Sequence, residues 1–196
     1  MKDKIVINIG YDHAGTTSLN EAMNILGYSS INDVDYNGIY DNINNNRNIF
    51  DGFIPKHNAF TNYPFLDENI LEIMIEQYPE EYYVYTKRNY RDMYKSARVI
   101  AGRGLLYPYK GFRRRPPLFK IWLKKQKEKQ LYIETVLKNN LNLKVLEFNV
   151  CDEGHGWKEL CGFLNKKIPN VNFPHLNKSK FTWGRGHRTA HEQKDT

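Results

Sequence analysis

Two hydrophobic periodicities alternate along the chain. Lys4 to Ile9 is a short β-branched run closed by Gly10, the pattern of a buried strand ending in a turn. From Thr17 to Leu26 the apolar positions Leu19, Ala22, Met23 and Leu26 have the three-and-four spacing of one helix face, and Gly27 supplies a C-terminal stop. The chain therefore opens with strand, glycine loop and helix. Leu66 to Tyr78 predicts a second amphipathic helix ended by Pro79, and Tyr82 to Thr86 predicts the next strand. A polar string from Lys87 to Asp92 then opens a helix carrying Met93, Ala97 and Ile100. Pro117 suits the first turn of a long helix to about Lys138, with Leu118, Trp122, Ile133, Val136 and Leu137 as its buried stripe and lysines on its outer face. Leu143 to Phe148 predicts a third strand, and Gly156 to Leu164 a last short helix.

The segments between these elements lack a period. Asn32 to Asn48 is rich in Asn, Asp, Tyr and Gly, and Asn42–Asn48 reads as a loop or irregular surface excursion. Tyr107 to Pro117 mixes aromatic and basic residues with Pro and Gly, which excludes a regular element. From about Lys178 the tail is polar and is expected to be flexible around Gly184, Arg185 and Gly186. Strands alternating with helices indicate a single three-layer α/β/α domain over residues 1–196, built on a mostly parallel central sheet.

Charge adds a polarity to this picture. Residues 1–86 carry 4 basic and 13 acidic side chains, whereas residues 87–129 carry 15 basic and 2 acidic, within a formal net charge of +7 for the whole chain. One surface is thus expected to attract anions. The apolar content of 40% supports a packed core and excludes a disordered polyelectrolyte. Cys151 and Cys161 are too few to staple a domain of 196 residues, which excludes a disulfide-built fold and points to a reducing, cytoplasmic setting. The N-terminal apolar run is too short for a signal peptide, and no stretch approaches a membrane span. No His and Cys spacing suggests a metal site.

The candidate chemistry begins at Gly10-Tyr-Asp-His-Ala-Gly15-Thr16-Thr17-Ser18, between the first strand and the first helix. A glycine-bracketed loop there turns backbone N–H groups inward, and the helix adds its positive N-terminal end, which makes a phosphate cradle. A nucleotide-triphosphate loop would place Lys where this chain has Thr16. A bare tight turn would not need three successive hydroxyls.

The segment resembles the 5′-phosphosulfate loop of sulfotransferases that use 3′-phosphoadenosine-5′-phosphosulfate (PAPS). That resemblance implies a P-loop-like sulfotransferase architecture, with the 5′-phosphate held by residues His13, Ala14, Gly15, Thr16, Thr17 and Ser18. A second segment, Tyr82 to Ser96, is similar to the family's strand and helix that hold the 3′-phosphate, where an Arg at the strand end is followed eight residues later by a Ser. Arg88 and Ser96 fall on that spacing. An Arg at a strand end alone is commonly a surface ion pair; after the glycine loop it fits a phosphate fork. A third, looser match runs from Gly156 through Phe173-Pro-His-Leu-Asn177 and is read as packing. Arg185 in the tail is a further candidate for the 3′-phosphate.

Sulfuryl transfer needs a cation near the leaving oxygen and a base near the acceptor. The family's Lys or Arg is His13 here, whose charge near neutral pH depends on its surroundings. The family's acid or histidine before a proline is Asn62, and an amide has no useful basicity. His57 is the preferred replacement base, with Asp51 and Asp12 as alternatives. Arg113, Arg114 and Arg115 suit an anionic acceptor, though a solvated charge run or a base-stacking patch fits the same residues.

The expectation is a metal-independent sulfotransferase that moves a sulfuryl group from PAPS to a hydroxyl or amine, leaving adenosine 3′,5′-bisphosphate (PAP). The acceptor is a small molecule or glycan, and nucleic acid is not the expected partner. Two alternatives are a PAPS- or PAP-binding protein without turnover and, less favoured, a nucleotide kinase.

Overall fold

The computed structural model describes residues 4–32, 35–54, 56–61, 68–102 and 116–176. Five strands form one all-parallel sheet in the order β2, β3, β1, β4, β5, where β1 is Val6–Asn8, β2 Ser30–Ile31, β3 Ala59–Phe60, β4 Tyr82–Thr86 and β5 Lys144–Phe148. The helices are α1 (Thr16–Ile25), α2 (Tyr36–Asn44), α3 (Glu68–Gln77), α4 (Tyr90–Gly102), α5 (Pro116–Asn139) and α6 (Trp157–Leu164).

Strand alternation sends successive residues of β1 to opposite faces. Val6 packs in one cluster with Leu19 and Met23 of α1, Val84 of β4, Phe148 of β5, and Trp157 and Leu160 of α6. Ile7 packs with Phe60, Tyr83, Ile39 of α2, Met74 of α3, Met93 of α4 and Ile133 of α5. Two apolar clusters, one per face, produce the three layers. The central strands read as mostly apolar runs because both of their faces are covered.

The asparagine-rich stretch is not all loop, as its composition suggested. Asp35 caps α2, its carboxylate accepting from the N–H of Asn37 at 3.1 Å. Asn and Gly are weak helix formers, but Ile39, Tyr40 and Ile43 share a face that joins the core and override propensity. The sheet also has five strands where the pattern showed three. β2 and β3 are two residues long, too short to display a period.

Among the described residues no helix is long and apolar enough to cross a membrane. Asn62, the arginines Arg113, Arg114 and Arg115, the side chain of Leu118 and the tail with Arg185 lie outside the described residues.

Candidate functional site

The chain runs from β1 to one side of the sheet through β2 and β3, then crosses to β4 on the other side. Parallel sheets bind ligands outside the carboxyl ends of their strands at such a reversal. The glycine loop leaves β1 there. Asn8, 3% exposed, ties β1 to both neighbours: its Nδ2 donates to the carbonyl of Thr61 at 2.9 Å, and its Oδ1 accepts from Thr86 Oγ1 at 3.1 Å and from the N–H of Gly10 at 3.0 Å. Gly10 must be glycine, since a Cβ there would stand 2.0 Å from Thr86 Oγ1 and 2.2 Å from its backbone nitrogen. The loop therefore lies directly over the end of β4, where the N–H of Tyr11 donates to the carbonyl of Thr86 at 3.3 Å.

A turn from Tyr11 to Ala14, closed by a 3.2 Å backbone hydrogen bond, puts His13 at its tip with φ 65. Few non-glycine residues adopt that left-handed conformation, so something must hold it. Gly15, at φ 94, caps α1; a Cβ on it would meet Val150 Cγ1 at 2.6 Å. No side chain caps α1 and no acidic residue occupies its first turn. Its first N–H groups and the positive end of its dipole face the crevice. Ser18 is also met by the C-terminal segment. Phe173 packs on Trp157, Trp157 Nε1 donates to the carbonyl of Val171 at 2.7 Å, and the N–H of Leu176 donates to Ser18 Oγ at 3.0 Å. Ser18 keeps its own O–H as a donor.

Arg88 leaves the end of β4 toward the same loop. Its Nη1 donates to the carbonyl of His13 at 2.9 Å, and its Nε is buried without a hydrogen-bond partner. The strand end is aimed by Asn89, which accepts from the N–H of Asp92 at 2.9 Å and donates through its own N–H to Asp152 at 2.6 Å. A buried guanidinium N–H that lacks an acceptor fits an oxyanion beside the loop. Burial holds the His13 imidazole below its ordinary pKa, with the Arg88 charge acting in the same direction and Asp12 opposing both. The shift favours the neutral imidazole, which presents a single N–H donor rather than a cation.

The structure brings His13 to Ser18 and Arg88 together. Ser96 is half-buried on α4, and among the described residues no hydrogen bond joins it to Arg88 or to the loop. His57 is not brought to the site. Ala59 aligns with Val6, so His57 stands before the amino end of β3 while the loop begins at Gly10, beyond the carboxyl end of β1. At about 3.3 Å per residue this offset is roughly 20 Å. His57 instead faces Ser29 Oγ at 3.4 Å, ahead of β2 and apart from the glycine loop. Asp51 lies on that same edge, near Tyr78 at the end of α3. Asp12 alone of the three carries its carboxyl group within the loop.

Sequence reasoning did not single out Asn8, although a polar residue inside an apolar strand run was a visible signal.

Residues 5–111 and 123–182 match the sulfotransferase domain family. A comparison with individually curated proteins finds no match. With the glycine loop, α1 and Arg88 all inside the matched residues and the parallel sheet around them, the chain belongs to the sulfotransferase domain family.

Proposed function

We propose that this sulfotransferase-family chain takes its sulfuryl group from PAPS and passes it to a hydroxyl or amine acceptor, such as an anionic glycan. The observation that carries the reading is the buried Arg88 Nε, unpartnered and beside an uncapped helix N-terminus. PAPS supplies the transferable group and presents two phosphates to the protein. Backbone N–H groups from Ala14 to Ser18, with the hydroxyls of Thr16, Thr17 and Ser18, would hold the 5′-phosphate end. Arg88 would take the 3′-phosphate through its fork while keeping Nη1 on the loop, and Ser96 would add a hydroxyl. His13, neutral and desolvated, donates one hydrogen bond where negative charge develops on the leaving oxygen. An anion at that point also draws a proton onto His13, so its cationic form is recruited by the ligand.

Calorimetry separates the readings. The expected result is binding of PAP without added metal and no competition from ATP with Mg²⁺; preference for ATP would establish the kinase reading instead. Labelled PAPS with an acceptor panel then distinguishes transfer from binding without turnover.

A further inference from the structure

Tyr11 belongs to the phosphate loop by its backbone and to the core by its side chain. It is 3% exposed and threads between β4, α4 and α5. Its hydroxyl donates to the backbone carbonyl of Gln126, in the middle of α5, at 3.3 Å, and accepts from Tyr85 Oη at 3.5 Å. The Tyr90 ring stands edge-on at 6.4 Å, and its hydroxyl donates to Gln130 Oε1 one turn further along α5. Gln130 in turn donates to Glu134 at 2.6 Å. Burial drives the Tyr11 and Tyr85 hydroxyls well above their ordinary pKa, so both stay protonated and keep their donors. Phenylalanine would fill the same volume. The buried Tyr11 and Tyr85 hydroxyls each demand a partner, and with the half-buried Tyr90 they fix one setting of α5 against the loop.

We propose that Tyr11 is a positioning residue that couples occupancy of the phosphate loop to α5, the helix that begins directly after the arginine-rich 103–115 segment. The inference rests on the loop binding the PAPS-type donor proposed above. A loop ordered by a phosphate holds Tyr11, Tyr11 holds the Gln126 carbonyl, and the middle of α5 is stabilised. Linkage makes the effect reciprocal: loosening α5 weakens ligand binding at the loop.

Hydrogen exchange on the full chain, with and without PAP, tests this. The expected result in the parent is slowed exchange both in residues 10–19 and in residues 122–132. With PAP at saturating concentration, Tyr11→Phe keeps the loop protection while the α5 protection falls at least threefold. Tyr90→Phe, which alters no loop residue, is expected to reduce protection around Gln130 and keeps the test open if Tyr11→Phe does not fold. Equal α5 protection in parent and variants overturns the coupling, as does parent protection confined to the loop. Absence of any PAP effect in the parent overturns the donor reading, and the coupling with it.

Discussion

Arg88 Nη1 holds the carbonyl of His13 at 2.9 Å, so the side chain at the end of β4 fixes the one non-glycine residue of the loop that has a left-handed backbone. Arg88 therefore shapes the loop, and in the function proposed above its remaining N–H groups take an anion. Arg88→Ala is expected to weaken PAP binding at least tenfold, about 1.4 kcal/mol. Arg88→Lys keeps the charge but loses the fork and is expected to recover only part of that loss. Calorimetry on folded variants checks both, and unchanged affinity in Arg88→Ala would remove Arg88 from the site.

The lowered pKa of His13 has a definite sign for stability. The unfolded chain takes up the proton first, near pH 6.5, so stability present above that value is lost as the pH falls toward the folded-state pKa. Urea unfolding at about pH 7.5 and about pH 5.5 should show a smaller drop in His13→Asn than in the parent, since Asn tolerates the positive φ without titrating. PAP affinity in the parent should rise over the same descending interval, because a phosphate favours the imidazolium. A variant with the parent's pH dependence in both measurements counts against the assignment.

Gly10 admits no side chain. Gly10→Ala would drive a Cβ into the backbone of Thr86, and the loss is expected to reach about 3 kcal/mol, the upper end for overpacking. Gly27, with a positive φ but open space around its Cβ position, is the control: Gly27→Asn should cost much less. Thermal or denaturant unfolding of the pair measures the difference.

His57→Ala is expected to leave PAP affinity and sulfuryl transfer within about twofold, the scatter of a distant surface change. A tenfold fall in transfer with intact PAP binding would return His57 to the reaction and require the loop before β3 to move.

Much of the candidate anion-binding site was legible in the chain. The order strand, glycine loop, helix follows from a short β-branched run giving way to a three-and-four spacing between Ile9 and Leu19, whereas the contacts that demand glycine at positions 10 and 15, with Thr86 and Val150, come from residues far along the chain. The spacing from Tyr82 to Arg88 likewise placed a guanidinium at a strand end. α2 was hidden because Asn and Gly residues mask an apolar face, and β2 and β3 were hidden by their brevity. The position of His57 was not legible because a loop between two elements gives no direction: only the parallel register of Val6 with Ala59 shows which edge of the sheet it occupies.

The sequence by itself determined the local conformations and the candidate anion-binding groups, because backbone propensity and side-chain period act over a few neighbours. Tertiary structure decided which of those groups meet. Arg88 on His13, Leu176 on Ser18 and Tyr11 on Gln126 join residues 75, 158 and 115 positions apart, and such contacts are set by how the helices pack on a twisted sheet rather than by anything written within either segment.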